Sequence, residues 1–200
     1  IEICDGRGDG INRIYLTNVG IGGFGGFWEY SWDGSTFTQT YLHPTGTEWT
    51  SQISHGIGRN DGQTRFYVST SSGSILEYSW TGSTWTVVVI GTTTGNIYSL
   101  GVCVGAGRND GVNRVYAADV AGNIDEFTWT GSEWAKVNIT QIPAVALLID
   151  IGDGRNDGTN RLYIAASNGY TYELWWDSMN ETWELEPMAT PQSAEMHTPK

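Results

Sequence analysis

Four segments of this chain repeat one another, and that recurrence restricts the fold more than any other feature. Cys4–Tyr15, Gly56–Tyr67, Gly105–Tyr116 and Gly152–Tyr163 all carry Gly-Arg-[Gly/Asn]-Asp-Gly, then a second Arg and a Tyr. The first arginines, Arg7, Arg59, Arg108 and Arg155, follow one another at 52, 49 and 47 residues. A second block trails each: Trp28–Trp32, Leu76–Trp80, Asp125–Trp129 and Tyr172–Trp176, with a Glu in second position and a closing Trp. A third landmark is the aromatic at Phe37, Trp85, Trp134 and Trp183. The first unit carries a Gly-rich insertion around Gly20–Phe27. A period of this length is the mark of a repeat architecture.

Each unit reads as four short strands. In the third they are Ser99–Val104, Asn113–Ala118, Ile124–Trp129 and Trp134–Thr140. β-branched and aromatic residues alternate with polar ones, and Gly, Asn, Asp and Ser clusters punctuate them. No window has helical periodicity. The predicted fold is therefore all-β: a β-propeller of four four-stranded blades, approximately residues 1–45, 46–94, 95–141 and 142–188. The tail 189–200, with Pro191 and Pro199, reads as linker. The spacing leaves three arrangements open: a four-bladed ring, four blades of a longer array, or a ring made from two copies.

The loop at Asp5–Arg13 and its three counterparts resemble the calcium loops of FG-GAP (integrin-alpha-like, VCBS-type) repeats, which the family places between two propeller strands. The matching positions here are Asp5, Arg7, Asp9 and Arg13, and Asp153, Arg155, Asp157 and Arg161. The resemblance covers the four loops and their flanking strands, about half of the chain. It implies a propeller and, in the family's intact loops, bound calcium. Here guanidinium groups stand at two ligand positions, and blades 2 and 3 have Ile57 and Ala106 for the first Asp. Arginine is thus expected to tie the loop in place of an ion. No cofactor is expected, with calcium at Asp5/Asp9 or Asp153/Asp157 as the alternative.

All eight arginines belong to the repeat, as do four glutamates: Glu29, Glu77, Glu126 and Glu173. Two cations facing two anions per unit predict buried ion pairs, with the second arginines (Arg13, Arg65, Arg114, Arg161) bonded to those glutamates. No arginine is then left over for phosphate. The net charge is −12, with only two lysines, Lys136 and Lys200. A nucleic-acid partner, which needs a basic face, is excluded on that balance, and no apolar run is long enough to insert in a membrane as a helix. Cys4 and Cys103 make at most one bridge.

If the repeated residues build the blades, function belongs where the copies differ. The tryptophans outside the repeated set are Trp28, Trp49 and Trp175, and Tyr170 and Tyr172 lie close to the last in sequence. Exposed rings flanked by polar groups suit sugar rings: the apolar C–H face stacks and the polar groups take the hydroxyls. The residues lean away from catalysis. His43, His55 and His197 do not recur, nucleophile and zinc motifs are absent, and Glu2, Ser54, Cys103 and Asp150 align near the propeller axis with only two acids among them. The expected function is an extracellular, secreted or cell-surface binding module, carbohydrate-binding (lectin-like) or adhesive, non-catalytic, and able to self-associate into a larger ring. The alternatives are a propeller domain of a polysaccharide lyase or hydrolase, using Glu2, Asp150 or His55, and a purely structural repeat. Asn138 and Asn180 head N-x-Thr glycosylation sequons.

Overall fold

The computed structural model of the chain describes residues 1–18, 25–42 and 48–189. Their regular structure is sixteen strands in four antiparallel sheets. Blade 1 is β1 (Glu2–Cys4), β2 (Arg13–Asn18), β3 (Gly26–Trp32) and β4 (Phe37–Tyr41). Blade 2 is β5 (Thr50–Gly56), β6 (Arg65–Thr70), β7 (Ser74–Trp80) and β8 (Trp85–Thr92). Blade 3 is β9 (Ser99–Gly105), β10 (Arg114–Asp119), β11 (Asn123–Trp129) and β12 (Trp134–Gln141). Blade 4 is β13 (Ala146–Gly152), β14 (Arg161–Ala166), β15 (Thr171–Asp177) and β16 (Thr182–Ala189). Within each sheet the strands follow chain order, so each blade is a meander whose register is set by its own tight turns. Among the described residues no helix is long and apolar enough to cross a membrane.

In the third blade the strand boundaries fall within one residue of those expected from the repeat. Two expectations change. Ala189, assigned above to the linker, belongs to β16, and Gly26 and Phe27, assigned to the insertion, begin β3, where Phe27 is fully buried. His43, residues 20–24 of the insertion, and residues 190–200, with Pro191, His197 and Pro199, lie outside the described residues.

A blade has two faces, and the core lies between blades. β6 and β10 are buried along their whole length. A strand covered on both faces reads as a nearly continuous apolar run, as Phe66-Tyr67-Val68 and Val115-Tyr116-Ala117-Ala118 do. The equivalent strands of the end blades, β2 and β14, mix buried with half-buried positions instead, and β2 ends on an exposed Asn18. The buried apolar residues form three clusters, one per junction. Between blades 1 and 2, Tyr15 meets Phe66 at 4.2 Å between ring centroids and Phe27 meets Tyr78 at 4.8 Å. Between blades 2 and 3 the cluster is built from Tyr67, Ile75, Val115 and Phe127. Between blades 3 and 4 it includes Tyr116, Ile124, Ile149 and Leu162.

The inner strands β1, β5, β9 and β13 lie side by side in that order, and β13 makes no contact with β1 comparable to those between neighbours. Gln52 of β5 ties three of them. Its Nε2 donates to the Ile149 carbonyl at 3.0 Å, and its Oε1 accepts from the Val102 amide at 3.2 Å. This bridge passes Gly101, where a Cβ would stand 2.9 Å from the Ile149 amide nitrogen.

Candidate functional site

The Gly-Arg-x-Asp-Gly loops join the first and second strands of each blade, at the end where the third strand closes on its Trp. The second arginine opens the second strand, four residues after the loop aspartate, and its guanidinium turns back over the loop. Arg114 Nη1 and Nη2 donate to Asp110 Oδ1 and Oδ2 at 2.9 and 2.7 Å, and Nη1 also donates to the Val112 carbonyl at 3.0 Å. Arg13–Asp9, Arg65–Asp61 and Arg161–Asp157 repeat this fork. The guanidinium bonds hold the carboxyls of Asp61 and Asp110 down at about 2, and those of Asp9 and Asp157 lower still. The repeat predicts bonds between these arginines and the strand glutamates; their main partner is instead the loop aspartate. Only a longer contact to the glutamate remains, 3.5–3.9 Å in blades 2 to 4. A four-residue separation across a tight loop puts the aspartate within easier reach.

The glutamates belong to the first arginines. Arg59 Nε and Nη2 grip Glu77 Oε2 and Oε1 at 3.0 and 2.5 Å, and Arg108 grips Glu126 at 2.9 and 2.7 Å. Arg7–Glu29 and Arg155–Glu173 have the same bidentate geometry. The four glutamates are buried, and Tyr15, Tyr67 and Tyr163 each donate a phenolic hydrogen bond to theirs. Burial next to an anion pushes the hydroxyls of Tyr15 and Tyr67 well above the ordinary tyrosine range.

At three junctions this arginine also crosses to the next blade. Arg7 lies 4.3 Å over the Trp80 ring, Arg59 4.1 Å over Trp129 and Arg108 4.2 Å over Trp176. Nε and Nη2 serve the glutamate, while Nη1 has no hydrogen-bond partner among the described residues. Polar side chains surround the resulting clefts: Asp5, Gln63 and Thr64 beside Arg7 and Trp80, and Asn138, Glu181 and Thr182 beside Arg108 and Trp176. From their recurrence alone, all of these arginines and tryptophans count as blade structure. Each unit repeats one loop aspartate that can take the second arginine, which leaves the first arginine to find its partner elsewhere.

The aromatic residues singled out from the sequence are not gathered into one site. Trp49 is 36% exposed and faces Tyr98, 49% exposed, at 6.5 Å between centroids on the opposite end of the blades. Trp28 is half-buried against Tyr41, and Trp175 is half-buried on β15. Tyr172 is buried in the junction 3–4 cluster, with its hydroxyl bonded by Asn168 and its ring against Tyr170. Its burial corrects its place among the candidate ligand residues. Asn138 and Asn180 both stand at the surface, their amide groups bonded to Asp125 and Asp177.

The loop carboxylates suit the donors that already engage them. Asp5 accepts the amides of Asp9 and Gly10 at 3.0 and 2.7 Å, and Asp153 accepts those of Asp157 and Gly158 at the same distances. Asp9 and Asp157 are held by guanidinium groups, whose charge disfavours a cation beside them. Near the axis, His55 Nδ1 and Glu2 Oε2 are 3.1 Å apart. Cys4 and Cys103 are unbridged. Burial pushes the Cys4 thiol up to about 11 and that of Cys103 well above its ordinary value, so neither is a ready nucleophile.

No protein-family model matches this chain, and no curated protein matches it. Among solved structures it is similar to AofleA from Arthrobotrys oligospora, at 19% identity and a TM-score of 0.57, over 90% of this chain and 54% of that one. It is also similar to BBS1N, solved in complex with ARL6DN, at 15% identity and a TM-score of 0.58, over 92% and 54%. A mutant of AofleA with three arginines changed to alanine aligns at 19% identity, with a TM-score of 0.54, over 84% and 51%. The chain thus spans about half the length of the solved chains it resembles. At such identities the likeness is one of fold, and it agrees with the four sheets: this chain consists of four blades of a β-propeller.

Proposed function

We propose that this chain is a non-catalytic, lectin-like carbohydrate-binding module whose sites recur at the blade junctions. The observation that carries this reading is the uncommitted Nη1 donor of Arg7, Arg59 and Arg108, each beside a half-buried tryptophan of the next blade. The guanidinium is already neutralised by its glutamate, and the whole chain is strongly acidic, so the cleft favours a neutral polyol over a phosphate or carboxylate. A sugar offers what such a cleft takes: hydroxyl oxygens for the donor and C–H groups for the indole. The fold likeness to AofleA supports it. An extracellular setting fits the low lysine content and the two surface sequons. The exposed Trp49–Tyr98 pair supports a second reading, a sugar surface on the opposite end of the blades.

The test is a glycan-array screen with and without a calcium chelator, using the unsubstituted chain and two variants. Replacing Arg7, Arg59 and Arg108 by lysine keeps the charge facing each glutamate and removes the free Nη1. Loss of one such hydrogen bond weakens each site by roughly 3- to 10-fold. The pair Trp49→Ala and Tyr98→Ala should leave binding unchanged. The reverse pattern moves the site to the other end, loss on chelation returns the loops to a calcium role, and no glycan binding by the unsubstituted chain overturns the proposal.

A further inference from the structure

Blade 4 and blade 1 each present one half of a junction that the described residues do not complete. Four contacts recur at the internal junctions, two of them at all three and two at junctions 2–3 and 3–4 only, and each has its two halves on successive blades. The first is the arginine over the next tryptophan, made at all three junctions. The second sets the repeated tyrosine against the edge of the next blade's fourth-strand tryptophan: Tyr15–Trp85, Tyr67–Trp134 and Tyr116–Trp183, at 5.8–6.0 Å.

The third is a reciprocal asparagine pair. Asn60 Nδ2 donates to the Asn113 carbonyl at 3.0 Å, while the Asn113 amide donates to Asn60 Oδ1 at 2.8 Å. Asn109 and Asn160 do the same at 3.0 and 2.7 Å. The fourth is a close approach of inner strands. A Cβ on Gly56 would stand 2.7 Å from Val104, and one on Gly105 3.0 Å from Ile151.

The left-hand halves recur on blade 4 and the right-hand halves on blade 1. Arg155 grips Glu173 as its counterparts grip theirs, but its side chain is 53% exposed against 24–25% for the other three. Trp32, the fourth tryptophan of that set, is 55% exposed, and Phe37, which replaces the edge-on tryptophan, is 53% exposed. Tyr163 is the one repeated tyrosine that is not fully buried. Gly152 has nothing within 4 Å of a built Cβ, and Ile3, the residue aligned with Val104 and Ile151, is 68% exposed.

The asparagines decide the matter. Junction 1–2 lacks the pair, having Gly8 and Thr64 at the two positions. Asn156 and Asn12 nevertheless occupy those positions on blades 4 and 1. Asn156 holds the left-handed backbone, φ 57°, of the paired Asn60 and Asn109, and neither Asn156 nor Asn12 makes a side-chain hydrogen bond among the described residues.

We propose that blade 4 docks on blade 1 of a second copy of this chain, head to tail. Arg155 then stacks on the second copy's Trp32, Tyr163 on its Phe37, and Asn156 pairs with its Asn12, so that a further Arg–Glu–Trp cleft forms between copies. The contact joins different surfaces, so it closes when the rotation returns to the start. Two copies, each covering 54% of the solved propeller chains, together have about the length of one of them. The closed form is a ring of two copies. The proposal does not depend on what the clefts bind.

The experiment is the solution mass by light scattering over a concentration series. The unsubstituted chain should run at twice 21.9 kDa. Trp32→Ala and Arg155→Ala alter exposed side chains at opposite ends, and each should run as one chain with an unchanged far-UV circular dichroism spectrum. Mixed at raised concentration, the two variants should recover the double mass, because each retains the face the other has lost. A monomer in the unsubstituted chain, a dimer that persists in both variants, or a mixture no heavier than its parts overturns the proposal.

Discussion

The junction between blades 3 and 4 and the outer faces of blades 4 and 1 are built from the same residue types, and they differ in what covers them. Arg108 lies between Glu126 and Trp176, and Tyr116 is sealed by Trp183. Arg155 has its Glu173 but no ring above it among the described residues, and Trp32 has Phe37 beside it but no guanidinium. Two kinds of contact are thus superimposed in the repeat motif. The aspartate forks and the first-arginine pairs with glutamate lie within one blade and form in all four. Stacking, the asparagine exchange and the glycine approach lie across blades and form only where a neighbour stands.

The largest expected contrast is between equivalent glutamates. Glu126→Ala strands Arg108 in a covered site, and removing one partner of such a pair costs about 3–5 kcal/mol. Glu173→Ala leaves Arg155 free to take water, so urea titrations at low protein concentration should show a loss less than half as large. Equal losses would mean that the outer face is as covered as the inner one. A smaller contrast is expected between tryptophans. Trp129→Ala gives up a cation–π contact and junction packing, roughly 2 kcal/mol. Trp32→Ala on the isolated chain should stay within about 0.5 kcal/mol, because it uncovers little.

The smallest contrast concerns acid. Asp61 and Asp110 have carboxyls lowered to about 2 in the folded chain, so their contribution is complete above the unfolded value of about 3.9. It is lost as pH falls from there through about 2. Because the forks lie within single blades, Asp110→Asn and Asp157→Asn should flatten the acid limb of the melting-temperature profile by similar amounts. A much larger change for Asp110 would show that junction burial, not the fork, sets these carboxyls.

Much of the fold is legible in the recurrence of a dozen positions, since turn chemistry and strand pairing are local and repeat with them. The partner of a given arginine is less legible. Arg13 has Asp9 and Glu29 both within reach in principle, and only the path of the loop back over itself gives Asp9 to Arg13 and Glu29 to Arg7. The candidate site was hidden by the same recurrence. Arg59 and Trp129 lie far apart in the chain and in different blades, and nothing in their spacing says that one ring lies under the other. Tyr172 illustrates the opposite error: a non-repeated aromatic reads as available for a ligand, yet it fills the space beside Leu174 and Tyr170.

Residue types alone dictate the unit: four strands, a loop tied by its own arginine, and complementary residues on both faces of each blade, interrupted at junction 1–2 by Gly8 and Thr64 and by Cys4 and His55. These follow from short-range geometry, which the residue types dictate wherever the motif occurs. The tertiary structure decided which faces meet. Whether Trp32 is core or surface depends on the angle through which successive sheets turn, a sum of many small packing choices along the three aromatic clusters, and no single residue records it.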